Sequence, residues 1–398
     1  MFASKYSKIK LRIMLIFFLL FSGLFYGLIT FGAEQHLLEL FLQSTNSYIM
    51  TLFLVAALLF FLPVFIASQT IPLLTELIPE QSKGKAAGSM LFASTIGSFL
   101  GSILTSIRLF EWLGVTRTAI LVSGLLLLAS CLLIWKIDKL ISLLLVVASC
   151  CFIGRLRLHR VGVSLEGVIY QFDSAYQEIL IRQATRNGEP VKIFHTNRAF
   201  SSALLTQKKE SPFDYLREVM RISETKQPKT VLVIGTAGFT YPYELLKFPW
   251  IERIDTVDID PAVKEIAEKH FLDTTLPDTV VFYPQSARYF VHQAVKEKKT
   301  YDLILVDAYN GKTIPDELTT IEFFQELAQI NNPDGLVFNF ILDTDLQTDL
   351  AKNILSSLSY AVGSLWTQNT THNPSRTLDN FIVTTTPYDT TYLAYTPN

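Results

Sequence analysis

Residues 231–240 read VLVIGTAGFT, and residues 257–260 read VDID. An apolar run enters a glycine turn. After a helix-length gap, a second apolar run ends in two acids. Gly235 and Gly238 sit where a strand ends, and glycine lets backbone pass close to a ligand where a side chain would clash. Asp258 and Asp260 close the next strand, at the spacing where an acid accepts hydrogen bonds from ribose hydroxyls. Thr236 and Ala237 separate the two glycines, so the loop is not the G-x-G-x-x-G dinucleotide fingerprint. Glycine turn and spaced acid together predict a nucleoside pocket. The competing reading is a strand–turn–helix kept for packing.

Working outward, strands and helices alternate. TVLVIG precedes YPYELLKF, IDTVDID precedes PAVKEIAEKHF, and TVVFYP precedes ARYFVHQAVKE. YDLILVDA then leads into TTIEFFQELAQI, and GLVFNFIL into TDLAKNILSSL. Continuous apolar strands between helices predict a parallel sheet buried on both faces. AVGSLW and NFIVTT fit a closing antiparallel pair. The expected fold over 206–398 is a doubly wound, Rossmann-like α/β domain, with ligands beyond the carboxyl ends of its strands. Asp307 ends one such strand, where a carboxylate can take a proton from an amine or pair with it. The loop from Tyr309 to Thr319 holds Gly311 and Pro315 and could close over a ligand. Ahead of this domain, GVIYQF, QEILIRQ and PVKIFHTN predict three short strands in a small β region, 163–205. SPFDYLREVMRIS, 211–223, predicts an amphipathic helix with Ser211 as its N-cap.

The first 158 residues differ in kind. Mean hydropathy over the whole chain is +0.32. Residues 1–160 hold 13 Lys and Arg against 6 Asp and Glu, while the remainder holds 21 against 30. Apolar segments at 11–33, 48–67, 88–107, 118–135 and 140–154 predict an all-α transmembrane bundle of about five spans. None contains a buried charge, which lowers a pump or channel reading. Lysines 5, 8 and 10 with Arg12 favour a cytoplasmic N-terminus, whereas Arg155, Arg157 and Arg160 favour a cytoplasmic second half. Five spans cannot satisfy both, so the side of the soluble domain stays open. An acidic second half argues against nucleic acid as its partner. Cys131, Cys150 and Cys151 lack metal-ligand spacing, and no pair among the six histidines has zinc-site spacing, so no metal is expected.

These residues together resemble the spermidine synthase (polyamine aminopropyltransferase) family, in its branch fused to a membrane domain. The likeness runs from about 163 to 345. IYQFDSAYQEI resembles the family's substrate-side segment with its Tyr-Gln pair, here Tyr176 and Gln177. VLVIGTAGFT resembles the glycine loop of the fused branch, VDID the ribose-holding strand end, and YDLILVDAYNG the gate segment. The resemblance implies a class I methyltransferase-type fold and aminopropyl transfer from decarboxylated S-adenosylmethionine to an amine. Asp307 and Tyr176 would then be catalytic. Gly235, Gly238, Asp258 and Ser286 would hold the nucleoside, and Gln177 and Asn310 the amine. No cofactor is bound permanently; the sulfonium compound is a co-substrate. The implied partners are a small-molecule amine and the lipid bilayer, with a homodimer allowed. The implied location is the inner or cell membrane of a bacterium. The chain departs from the family at three places. Thr236-Ala237-Gly238-Phe239 replaces a loop containing an aspartate, Asn310 replaces the second gate aspartate, and Ser286 replaces the adenine-side acid. Those departures keep two rivals in view: a methyltransferase using S-adenosylmethionine, and a non-catalytic nucleoside or polyamine binder.

Overall fold

A computed structural model describes residues 8–29, 48–79, 82–135, 167–197, 199–310, 313–344, 346–371 and 378–395. The chain forms two compact units, Met1–Leu165 and Glu166–Asn398.

In the first unit, three described helical stretches are long and apolar enough to cross a membrane: Lys10–Gly27, Lys83–Leu109 and Arg117–Ile134. They coincide with the first, third and fourth expected spans. The helices Lys8–Ile29 and Phe110–Trp135 pack at Gly23, where a Cβ would meet Leu127 Cγ at 2.9 Å. Ser123 Oγ donates to the Gly23 carbonyl at 2.5 Å, a close approach that small residues allow. The expected span at 48–67 is a broken helix. Helix Tyr48–Ala56 runs into a π-turn, Ala57–Phe61, before helix Leu62–Ser68. Pro63 sits just after that turn; proline lacks an N–H and crowds the carbonyl four residues back, which a wider turn relieves. The expected span 140–154 and the arginines after it lie outside the described residues.

The second unit opens with an antiparallel sheet of four strands: β1 (Val168–Asp173), β2 (Glu178–Arg186), β3 (Glu189–Thr196) and β4 (Ala199–Leu205). The sequence reading found the first three. An eight-stranded sheet follows: β5 (Thr230–Ile234), β6 (Arg253–Asp258), β7 (Val280–Pro284), β8 (Leu303–Val306), β9 (Leu336–Asp343), β10 (Leu365–Asn369), β11 (Leu378–Thr384) and β12 (Leu393–Tyr395). Its order is β12-β10-β11-β9-β8-β5-β6-β7. Strands β5 to β9 are parallel to their neighbours among themselves, and β10, β11 and β12 run antiparallel at one side. The expected α/β Rossmann-like fold and its closing pair are present; β12 was not anticipated.

Alternation along β5 shows why the sheet is buried twice. Val231 and Val233 enter one core with Leu216, Val219, Phe194 and Phe271; Leu232 and Ile234 enter the other with Phe290, Phe323, Phe324 and Phe338. Successive side chains on a strand point to opposite faces, so an unbroken apolar run fills both. The small β region adds to the first core, with Phe194 edge-on to Phe271 at 5.6 Å.

The helix expected at 211–223 starts later, at Asp214, and Ser211 is not its N-cap. Pro212 disfavours helical backbone at Ser211. The Ser211 hydroxyl instead accepts from Phe213 N at 3.2 Å, and Ser211 N donates to the Glu244 carboxylate at 2.7 Å. Glu244 is buried, and burial pushes its pKa up to about 7. A carboxyl raised in the folded state adds stability at low pH that is lost as pH rises toward the folded value. Glu244→Gln keeps an acceptor for Ser211 without the charge. It is expected to raise the melting stability of the full chain at pH 8 by about 1–3 kcal/mol and to change it little at pH 4.5; thermal melts at the two pH values check this.

Candidate active site

The order of the parallel strands reverses at β5, with β6 on one side and β8 on the other. Crevices of this kind, at the carboxyl ends of the strands, bind ligands. Here the three strand ends are laced together. Gly235 N donates to Val257 O at 2.9 Å, and Asp307 N donates to Ile234 O at 2.8 Å. Gly235 has φ +85°, and a Cβ on it would meet Asp307 O at 2.2 Å and Ala308 Cα at 2.7 Å. Its missing side chain thus admits the backbone of the neighbouring strand end. Gly238 has a different neighbour: a Cβ there would meet Phe271 Cε1 at 2.7 Å and Ser202 Cβ at 2.9 Å, and its N–H donates to Ser202 Oγ. Both glycines serve close packing of the loop, which brings the loop onto Asp258.

Asp258 Oδ2 accepts from Thr236 N at 3.2 Å, Thr236 Oγ1 at 3.3 Å and Ala237 N at 3.4 Å. Its Oδ1 accepts from Asp260 N at 3.1 Å. A carboxylate has about four acceptor positions, so Oδ1 keeps capacity toward the crevice. Burial raises its pKa, against the donated backbone hydrogen bonds. Asp260 is fully buried and acts as a joint. Its Oδ2 accepts from Ser174 Oγ at 2.6 Å and from Gln177 Nε2 at 3.1 Å; its Oδ1 accepts from Ala262 N at 3.0 Å. The amide of Gln177, expected on the amine, therefore ties the β1–β2 turn to the end of β6. Tyr176, one residue earlier, has an exposed side chain.

Asp307 is held by two side-chain donors from separate elements. Tyr215 Oη donates to its Oδ2 at 2.9 Å, and Asn339 Nδ2 donates to its Oδ1 at 2.8 Å. Burial raises the Asp307 pKa, and these two donors oppose that rise. Burial and the neighbouring carboxylate push the Tyr215 phenol well up. The segment after Asp307 is fixed by Tyr309, whose hydroxyl donates to Asn339 O at 3.0 Å and accepts from Ile341 N at 2.7 Å. Asn310 Oδ1 accepts from Asn197 Nδ2 at 3.2 Å, and Asn197 Oδ1 accepts from Glu178 N at 3.1 Å. The mouth is thus bridged by a neutral amide pair. Ser286 sits at the start of helix Ala287–Lys296, beyond the end of β7.

Tyr215 and Asn339 were not singled out from sequence. Asn339 carried a visible signal: it is a lone polar residue inside the apolar strand GLVFNFIL, and a buried amide needs a partner. Tyr215 lies inside an amphipathic helix and reads as packing. The ensemble holds two carboxylates at the ends of the two strands that flank β5. One is beside a glycine loop; the other is beside a phenol and an amide. That suits a ligand with hydroxyls next to a ligand with an N–H.

Comparison with known proteins finds similarity over part of the chain. Residues 216–375 match the family model described as the spermine/spermidine synthase domain. The polyamine aminopropyltransferase of Vibrio vulnificus is 29% identical over 180 residues, covering 43% of this chain and 58% of that protein. Putrescine N-methyltransferase 2 of Nicotiana tabacum is 28% identical over 202 residues, covering 49% of this chain and 54% of that protein. The chain thus spans less than two thirds of the length of these curated relatives. A solved spermidine synthase of Thermotoga maritima superposes with a TM-score of 0.44 at 22% identity, covering 56% of this chain and 74% of that one.

The lacing at β5 has a direct test. Gly235→Ala adds a methyl group onto the Asp307 carbonyl at a left-handed φ. It is expected to destabilise the full chain by about 2–4 kcal/mol, read as a lowered melting temperature. A wild-type melting curve would show that the strand ends are not tightly packed there.

Proposed function

We propose that this chain, whose residues 216–375 match the spermine/spermidine synthase domain, is a membrane-anchored transferase that alkylates a small amine from a sulfonium nucleoside. The favoured reaction is aminopropyl transfer from decarboxylated S-adenosylmethionine. The observation that carries this reading is the Asp307 carboxylate, gripped by Tyr215 and Asn339 on one side of the glycine loop, with Asp258 on the other. In the reaction, the amine nitrogen attacks the carbon bonded to the sulfonium. A C–N bond forms, the C–S bond breaks, and its electron pair goes to sulfur, leaving 5′-methylthioadenosine. The proton released from nitrogen goes to Asp307 and then to solvent. Asp258 accepts from a ribose hydroxyl at the remaining position of its Oδ1. Holding both reactants in line supplies most of the rate advantage, because no metal or covalent step is required of the protein. Tyr176, by the family likeness, helps position the amine, with Gln177 and Asn310 beside it and Ser286 on the adenine side. The three long apolar helices support anchoring in a bilayer.

Methyl transfer is the second reading, favoured by the putrescine N-methyltransferases among the relatives. It uses the same amine and sulfonium geometry but releases S-adenosylhomocysteine. The full chain, purified in detergent, should be incubated with each sulfonium donor and a panel of small amines. Release of methylthioadenosine is the expected result; release of S-adenosylhomocysteine alone assigns methyl transfer, and neither product leaves a binder. Asp307→Asn is expected to lower turnover at least a hundredfold while methylthioadenosine binding persists. Unchanged turnover would remove Asp307 from the mechanism. Because burial raises the Asp307 pKa, wild-type turnover is expected to rise with pH as this base ionises, in a pH–rate profile.

A further inference from the structure

The Asn339 amide is 3% exposed, and its two polar atoms have different fates. Nδ2 donates to Asp307 Oδ1 at 2.8 Å, while Oδ1 is buried with no hydrogen-bond partner. A buried acceptor without a donor costs about 1–3 kcal/mol, and native folds rarely keep one without a use. The amide cannot resolve this by rotating. Asp307 takes its donors on separate oxygens, Tyr215 Oη on Oδ2 and Asn339 Nδ2 on Oδ1, so a turned amide would set two acceptors against each other. The backbone is equally fixed, since Tyr309 Oη bonds both Asn339 O and Ile341 N. Asn339 also shares a sheet face with Val337, on the side where Leu216 and Val219 of the Tyr215 helix pack. The result is an unpaired carbonyl oxygen on the same amide that touches the reactive carboxylate, clamped from the strand side.

We propose that Asn339 Oδ1 is a second ligand for the acceptor amine, taking one N–H while Asp307 takes another. This rests on the reading of Asp307 as the amine-side carboxylate. A neutral primary amine has two N–H groups and one lone pair. With both N–H groups held, by a carboxylate and by an amide oxygen, the lone pair has a single direction left, toward the electrophilic carbon. Asn339 thereby sets both the aim of the nucleophile and the preference for an amine with N–H groups to spare. After transfer, the nitrogen carries one more carbon and one fewer N–H, which weakens its hold and favours release.

The test is calorimetric titration of the full chain in detergent with butylamine and with N,N-dimethylbutylamine. As cations these carry three N–H groups and one. Asn339→Leu keeps the side-chain volume and removes the acceptor. It is expected to weaken butylamine about tenfold and to leave N,N-dimethylbutylamine within about twofold, since a single N–H goes to Asp307 in either protein. Asn339→Ala, a smaller change, is expected to give the same pattern. Equal weakening of both amines would show a structural role and overturn the proposal, as would unchanged butylamine affinity in a folded variant. If the wild type binds neither amine, the proposal and the amine-transfer reading fail together. If the selective loss appears but neither methylthioadenosine nor S-adenosylhomocysteine is ever formed, the transfer reading fails and the Asn339 assignment stands. If turnover is present but the two amines respond alike, the reverse holds.

Discussion

The site depends on the absence of a side chain at position 235. Three parallel strand ends meet at the point where strand order reverses, and Gly235 lies between them. Its N–H closes onto β6, and its bare Cα faces the Asp307 carbonyl of the β8 end. Any Cβ there would force the ends apart. With them together, the glycine loop reaches Asp258 on one side, and Asp307 meets Asn339 on the other. The spacing of the two carboxylates is therefore set by backbone packing at β5, inside the large sheet.

A second layer of control comes from outside the large sheet. The small β region feeds Phe194, Ile179 and Ile181 into the same core as β5, so its turns are held rigidly over the crevice. Through Ser174 and Gln177 it grips Asp260, and through Asn197 it meets Asn310. From the opposite flank, the buried Glu244 holds Ser211, just ahead of the helix that carries Tyr215. Asp258, Asp260, Asp307 and Asn310 are thus each backed by a partner in a different element, which holds the geometry of the site.

What the sequence reveals follows from what each residue does locally. Buried parallel strands are apolar runs, so β5, β8 and β9 are legible by that pattern and β6 by its place between helices, as are the acids that end β6 and β8. Asp307 stands out because a charge after four apolar residues needs a reason, and Asp258 because it closes a strand at ribose spacing from the glycine turn. The strand β4 is not legible: AFSSALL mixes small polar residues with apolar ones, and its pairing with β3 shifts register at Phe194–His195, so the period-two pattern breaks. Ser211 looks like a helix cap, yet the proline after it pushes the helix start to Asp214. Gln177 and Gly238 read as ligand-facing residues, and the structure adds neighbours for them, Asp260 and Phe271, about 80 and 30 positions away, that no local pattern predicts. Tyr215 has the same difficulty, since its role appears only once its helix is laid beside β8 and β9.

The central claim is that this edge of the sheet holds an adenosine moiety through the carboxylate of Asp258. Calorimetry of the full chain in detergent with 5′-methylthioadenosine tests it most directly, using wild type and Asp258→Asn side by side. Binding by the wild type that falls at least tenfold in the variant is the expected outcome. Equal affinity in the two proteins, or no binding by a folded wild type, would contradict the account.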